Sequence, residues 1–274
     1  MIPNTKQKIG IVGVGYLGGA VKYWFDKQDF PAFFYDKHKG IGSLRDLNKA
    51  DIIFVCLPTP YIEENGKGFD DSAIGEVLSN IEGEKTIVIR STVLPGSTQE
   101  YQRKWPDHKF LMNPEFLREK TAIQDYLNPE RQIMGYTERS ESLAREVLDI
   151  LPKAPFERIA KATEAEMVKY FSNTFLANRV VFANQMYDIC AKLGINYEAV
   201  KECAGADSRI GCSHFDIFCD GYRGYSGTCL PKDTKALIQF AEAIGAEPKL
   251  FKTIDEINNG LLNGNNGRDK TKAA

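Results

Sequence analysis

The chain opens as an alternation of short apolar runs and longer amphipathic stretches. Lys8-Ile9-Gly10-Ile11-Val12 reads as a short apolar strand, and a helical stretch follows the glycine run after it through Asp26. Ala32 to Tyr35 and Ile52 to Cys56 repeat the strand pattern, Asp71 to Ile81 reads as a helix, and Thr86 to Ile89, Lys109 to Met112 and Ile133 to Gly135 supply further strands. Strands alternating with helices predict an α/β, Rossmann-like fold on a doubly wound parallel sheet. In such a sheet ligands lie beyond the carboxyl ends of the strands.

The pattern changes after Pro152 and Pro155, which punctuate a boundary. Thr163-Glu164-Ala165-Glu166 has the capping-box spacing, with Thr163 as N-cap and Glu166 at N3. Helical periodicity then runs to Leu193, and Gly194 suits the position just past a helix end. A helix of that length serves as the spine of a domain or as a subunit interface. Asp233 to Ile244 and Pro248 to Leu262 are also helical in pattern. The expected organisation is a nucleotide-binding domain over residues 1–162, an all-helical domain over 163–262 and a polar tail over 263–274.

Composition narrows the class. Of 274 residues, 43% are hydrophobic, enough to bury a core and to exclude wholesale disorder. Lys and Arg number 35 against 37 Asp and Glu, a net charge of −2, so a strongly basic nucleic-acid binder is not expected. No apolar run reaches the roughly 18–20 residues of a membrane span. Met1 to Lys8 is polar, unlike a secretory leader, so a cytoplasmic protein with reduced thiols is expected. The 6 cysteines, at 56, 190, 203, 212, 219 and 229, lack paired C-x-x-C spacing, so no metal site is expected.

The chemistry begins at Gly13-Val14-Gly15-Tyr16-Leu17-Gly18, a G-x-G-x-x-G run between a strand and a helix. Its first glycine permits the tight turn, its second lets a pyrophosphate approach the backbone, and its third lets helix and strand pack closely. The helix N-terminus offers free N–H groups to phosphate. Asp36 closes the second strand about 20 residues on, where a carboxylate binds ribose hydroxyls and repels a 2′-phosphate. That favours NAD over NADP, with Lys37 and Lys39 acting in the opposite sense. The segments after later strands place Pro58, Thr59, Ser91, Thr92 and Glu115 where ligand loops belong.

Lys169 and Asn173 lie at i and i+4 on the long helix, hence on one face, either as a solvated pair or as a functional one. The glycine-rich run Gly221 to Gly227 delivers Cys229 to a helix start at Leu230-Pro231, beside Lys232 and Asp233. A thiol at a helix N-terminus near a lysine is a usable nucleophile. Cys56 and Cys190 read as buried filler.

Taken together, GVGYLGG at 13–19, VCLPTP at 55–60, STVLPGS at 91–97, NPEFLRE at 113–119, EMVKYFSNTFLA at 166–177 and CLPKD at 229–233 make the chain resemble the UDP-glucose/GDP-mannose dehydrogenase family, from Lys8 to about Asn259. The Asn113-Pro114-Glu115-Phe116-Leu117 segment resembles the hexose branch, with UDP-glucose the preferred substrate.

The resemblance implies oxidation of a nucleotide-sugar C6 alcohol to the carboxylate, with two NAD reduced, and a place in polysaccharide biosynthesis. It makes Cys229 the nucleophile, Lys169 and Asn173 the oxyanion donors, and Glu115 the carboxylate that activates the hydrolytic water. Thr92 and Asp233 would hold a water near C6, with Lys232 positioning Asp233. Glu119 matches a second family carboxylate and is grouped with the cofactor residues. Phe116, Leu117, Phe218 and Ser226 fall on the substrate side. Arg209 matches an arginine that reaches a neighbouring subunit's substrate, which implies a homodimer built on the helix over 163–193.

Two departures stand out. Ser226-Gly227 replaces the family's Gly-Gly before the cysteine. The family's following α/β domain, which grips the uridine, has no counterpart in the sequence, so the chain reads as lacking it. A single-step hydroxyacid dehydrogenase, which also uses a Lys-x-x-x-Asn pair, and a non-catalytic NAD-binding protein are the alternatives.

Overall fold

The structure is a computed structural model describing residues 7–219 and 221–264. Most of the expected tail lies outside the described residues. The chain divides into two compact units between Lys169 and Tyr170.

The first unit is an α/β layer structure. In chain order it contains β1 (Ile9–Val12), α1 (Tyr16–Lys27), β2 (Ala32–Tyr35), α2 (Leu44–Leu47), β3 (Ile52–Val55), a hairpin of β4 (Tyr61–Ile62) and β5 (Gly68–Phe69), and α3 (Ser72–Leu78). β6 (Thr86–Ile89), α4 (Ser97–Lys104), β7 (Lys109–Met112), α5 (Ala122–Leu127), β8 (Arg131–Tyr136), α6 (Ala144–Asp149) and β9 (Phe156–Lys161) follow. The main sheet has the order β2-β1-β3-β6-β7-β8-β9. Ile9 pairs with both Ala32 and Ile52, and Thr86 pairs with both Ile52 and Lys109, all in parallel register.

Successive strand residues point to opposite faces, and each face buries its own core. Ile9, Ile11, Phe54, Val88 and Leu111 pack on one side with Phe25 of α1 and Leu148 of α6. Val12, Ile53, Val55, Ile87, Ile89 and Phe110 pack on the other with Ile74 of α3 and Ala165. Burying each such side chain contributes about 1.5–3 kcal/mol. The continuous apolar runs of the sequence therefore mark strands covered on both sides.

Three expectations are corrected. The sheet is mixed, because β7 and β8 are antiparallel, with Leu111 opposite Tyr136. A parallel crossover must carry the chain back across the sheet. Instead the segment after Met112 forms α5, which packs against α1, and β8 returns beside β7. The segment after Pro155, read as a domain boundary, is a strand: β9 extends the sheet beside β8, with Arg131 opposite Phe156. The capping box does not form. The long helix α7 (Ala162–Leu193, 32 residues) starts one residue before Thr163, and it is Glu164 whose carboxylate takes the Lys161 N–H, at 3.1 Å.

α7 would extend about 48 Å at 1.5 Å per residue. It ends as Gly194 suggested: Ile195 N–H donates to the Cys190 carbonyl at 3.0 Å and Gly194 N–H to Ala191 at 3.3 Å. The second unit continues with α8 (Tyr197–Gly205), a hairpin of β10 (Phe218–Cys219) and β11 (Tyr222–Arg223), α9 (Leu230–Ala243) and α10 (Lys249–Gly264). One of its cores joins Ala177, Val180 and Val181 of α7 to Tyr225 and Ile254. Another joins Ala183 and Cys190 to Tyr197, Phe215 and Ile217. Among the described residues no helix is long and apolar enough to cross a membrane.

Candidate active site

The glycine loop has the form a dinucleotide requires. Gly13 adopts φ +81°, and a Cβ there would lie 2.5 Å from the Cys56 carbonyl oxygen. A Cβ on Gly18 would fall 1.8 Å from the Gly13 carbonyl oxygen, so the third glycine allows helix and strand to close together. A Cβ on Gly15 would meet nothing within 4 Å. Its open side is thus free for a ligand. Gly15 is also the N-cap of α1 and supplies no side chain to its first N–H groups, which leaves them for a phosphate. Tyr16 is exposed, whereas Leu17 turns into the core.

Asp36 is fixed beside this loop. Its carboxylate accepts the Val14 N–H at 2.8 Å and the Lys39 N–H at 3.0 Å. Partial burial opposes its charge, but the N–H groups of Val14, Lys39 and His38 and the nearby Lys39 ammonium outweigh it, and the carboxyl is held below its usual range. The Lys39 ammonium donates to the Val14 carbonyl at 2.6 Å, and Lys37 pairs with Glu76 at 2.6 Å. Both lysines that could have met a 2′-phosphate have protein partners.

The loops at the carboxyl ends of β3, β6 and β7 are knitted together. Thr59 Oγ1 donates to the Thr92 carbonyl at 2.6 Å, and Ser91 Oγ donates to the Leu57 carbonyl at 2.7 Å. Pro58 is exposed and Thr92 half-buried. Sequence reasoning missed Arg90 and the role of Asn113. The buried Arg90 donates to Asn113 Oδ1 at 2.5 Å, and Asn113 Nδ2 donates to the Ile133 carbonyl at 2.7 Å. This anchors the loop carrying Glu115. Burial pushes the Cys56 thiol up to about 12, against the opposing field of Arg90, so Cys56 is inert as expected.

Glu115 and Lys169 form a buried ion pair at 2.7 Å, and Glu115 also accepts the Leu117 N–H at 2.7 Å. Phe116 lies under the Arg131 guanidinium, 3.9 Å from its ring centre. Leu117 is half-buried, and Glu119 is exposed in a 3-10 turn (Glu119–Thr121).

Glu166, one helical turn before Lys169, was expected to cap its own helix. Its carboxylate instead accepts the N–H groups of Gly96 (2.6 Å) and Thr98 (2.8 Å) and the Thr98 hydroxyl (2.6 Å), closing the N-terminus of α4. The reason is local: the N-cap of α4 is Gly96, which brings no side chain of its own. Burial raises the Glu166 carboxyl to about 7 despite those three donors, and Glu100 adds to the rise. The cap sits directly after the Ser91–Thr92 segment.

In the second unit, Asn173 Nδ2 donates to Asp233 Oδ2 at 2.5 Å, and Lys232 pairs with the other Asp233 oxygen. Lys169 is 4% exposed and Asn173 7%, which excludes the solvated-pair reading. Cys229 is the N-cap of α9, half-buried, with its thiol 3.7 Å from Thr228 Oγ1. Its carbonyl accepts the Asp233 N–H at 2.9 Å, so thiol and carboxylate bracket the first turn. Ser226 hydrogen-bonds the Tyr222 hydroxyl and is exposed. Phe218 is exposed and meets the Tyr187 ring edge-on at 6.0 Å. Arg209 is exposed and forms a fork with Asp207 at 2.5 Å.

A glycine-closed dinucleotide loop heading a Rossmann-like sheet, followed by a helical unit, defines a dinucleotide-binding α/β protein. The chain belongs to the UDP-glucose/GDP-mannose dehydrogenase family: residues 40–151 match its NAD binding domain and residues 163–260 its central domain. It is 32% identical over 244 residues to the UDP-glucose 6-dehydrogenase AglM of Haloferax volcanii, covering 82% of this chain and 56% of that protein. With the UDP-glucose 6-dehydrogenase TuaD of Bacillus subtilis it shares 34% identity over 221 residues, 77% of this chain and 47% of that one. The chain thus spans about half the length of the curated relatives it matches. A UDP-glucose dehydrogenase from the hyperthermophilic archaeon Pyrobaculum islandicum superposes with a TM-score of 0.83 at 26% identity, over 95% of this chain and 70% of that one. A 3-hydroxyisobutyrate dehydrogenase of Mycobacterium tuberculosis, at 16% identity and a TM-score of 0.72, shares the fold over 93% of both chains.

Proposed function

We propose that the chain is the catalytic part of an NAD-dependent nucleotide-sugar 6-dehydrogenase that oxidises the C6 alcohol of UDP-glucose to the carboxylate. The observation that carries the proposal is Cys229 at the cap of α9, one turn before an Asp233 gripped by Asn173 and Lys232. A single hydride transfer needs no nucleophile; oxidation to the acid does.

NAD, when bound, would accept one hydride per molecule, so the two oxidation steps consume two NAD. The loop fits it, with an open approach at Gly15, uncapped N–H groups on α1 and a fixed carboxylate at Asp36. Asp233 and Thr92 hold the water that removes the C6 hydroxyl proton as the alcohol becomes the aldehyde. The Cys229 sulfur adds to the aldehyde carbon, and the oxygen is protonated to give a thiohemiacetal. The second hydride leaves a thioester. Lys169 and Asn173 donate to the oxyanion in these steps. Water activated by Glu115 then cleaves the thioester and returns the thiol. Phe116, Leu117, Phe218 and Ser226 are assigned to the substrate, and Glu119 to the cofactor side.

The chain is further proposed to pair with a second copy through α7, with Arg209 reaching the copy's substrate. Phe171 (72% exposed), Phe175, Phe182, Ile189 and Leu193 (67%) recur along α7 at spacings of four and seven, an apolar stripe of the kind that supports self-association.

A panel of nucleotide sugars with NAD and NADP, followed by absorbance of the reduced cofactor, tests the reaction. Two NADH per UDP-glucose is the expected result, and no turnover of any sugar at high concentration overturns it. The fold shared with the hydroxyisobutyrate enzyme favours a second reading, a single-step hydroxyacid dehydrogenase. Such an enzyme would stay active as Cys229→Ser.

A further inference from the structure

The segment that delivers Cys229 is gripped from two helices. Arg223 donates from Nε to Asn184 Oδ1 (2.9 Å) and from Nη2 to the Asn184 carbonyl (3.1 Å), and it pairs with Asp188, all on α7. Two residues later, Asn258 of α10 takes both backbone groups of Tyr225. Its Oδ1 accepts the Tyr225 N–H at 2.7 Å, and its Nδ2 donates to the Tyr225 carbonyl at 2.9 Å. Between them Gly224 adopts φ +87°, and a Cβ there would lie 2.6 Å from Asn258 Oδ1. Glycine at 224 therefore gives both the left-handed turn and the room for the amide.

Asn258 is 1% exposed, on a helix whose neighbouring Ile254 is core. A leucine would fill that space with less desolvation cost. What the amide supplies is a partner for a buried loop backbone that has no strand beside it, where an unpaired N–H and C=O would each lose their hydration with nothing in return. Downstream of the grip, Ser226, Gly227 and Thr228 are exposed, and the chain then enters the α9 cap at Cys229. Tyr225 is the last buried residue of the loop before the thiol.

We propose that Asn258 is a positioning residue for Cys229: by holding both hydrogen-bonding groups of Tyr225 against α10, it fixes the loop that sets the thiol at the start of α9. The inference rests on the reading of Cys229 as the nucleophile. It makes α10 part of the thiol's support and not merely a connector.

The test compares wild type, Asn258→Asp and Asn258→Ala in the full chain. Asp keeps the acceptor for the Tyr225 N–H but sets a carboxylate against its carbonyl. Iodoacetamide labelling of each cysteine is followed by peptide mass across pH, alongside thermal melting and steady-state kinetics. Cys229 labelling is expected to change about tenfold, with a shift in the pH midpoint of its rate. The exposed Cys203 and Cys212 serve as internal controls with unchanged rates. kcat should fall while the KM for NAD stays near the wild-type value. Gly224→Ala, which displaces the amide with Asn258 intact, should reproduce the labelling shift if the Asn258 variants do not fold. A lower melting temperature with wild-type Cys229 labelling and pH midpoint overturns the proposal and leaves Asn258 a purely structural residue. Cys229→Ala separates the two readings: if turnover survives it, the nucleophile assignment fails, while the labelling response still decides the role of Asn258.

Discussion

The Glu166 carboxylate caps a helix that is not its own, receiving both the backbone N–H and the hydroxyl of Thr98. This ties the segment after Ser91 and Thr92 to the turn of α7 that bears Lys169.

The burial of Glu166 predicts a pH dependence of stability. Its carboxyl titrates near 4.5 in the unfolded chain and at about 7 in the folded one. Between those values the folded state binds the extra proton, so stability is higher at the acid end and falls as pH rises through 7. The difference is on the order of 3 kcal/mol. Chemical denaturation from pH 5 to 8 should show this decline in wild type relative to Glu166→Gln. Parallel curves for the two proteins would refute it.

Breaking the buried Glu115–Lys169 pair should be costly from either side. Lys169→Met leaves an uncompensated carboxylate and is expected to lose about 3–5 kcal/mol, whereas the double change with Glu115→Leu should recover much of that loss. Urea titrations of the single and double variants measure the coupling. Simple additivity would show that the pair is not mutually dependent.

Cys229→Ser should lower acid formation by about a thousandfold or more while leaving NAD binding intact. Product analysis by mass checks this. Undiminished carboxylate production would remove the thioester from the mechanism.

Phe171→Glu together with Phe182→Glu should halve the mass of the solution species. Both side chains are more than half exposed, so the melting temperature of the single chain should move little. Light scattering reads the outcome, and an unchanged mass would exclude this face from self-association.

The central strands were legible because both faces of each are buried, so their apolar runs are unbroken. β9 was not: Phe-Glu-Arg-Ile-Ala-Lys lies at the sheet edge with Phe156, Arg158 and Lys161 exposed and no residue fully buried, behind two prolines that read as breakers. The direction of β8 leaves no trace in its composition, since apolar runs serve parallel and antiparallel strands alike. The false capping box has the same origin, because spacing within one helix cannot reveal that another helix end needs the carboxylate. For the candidate site, the i, i+4 spacing of Lys169 and Asn173 was plain. Their partners Glu115 and Asp233 stand 54 and 60 residues away, and only folding pairs them. Asn258 left one weak signal, a polar amide on the core-facing side of an amphipathic helix.

Asp36 carries a consequence for how cofactor preference could evolve in this chain. Beyond its proposed role toward the ribose, its carboxylate is a strut, because it holds the Val14 and Lys39 N–H groups that shape the turn. Replacing it with a small neutral residue to admit a 2′-phosphate would orphan those donors and loosen the glycine loop together with the selectivity. A change of cofactor is therefore not one substitution away. It requires a new acceptor for both N–H groups, so mutational drift in this loop is channelled toward keeping the cofactor it has.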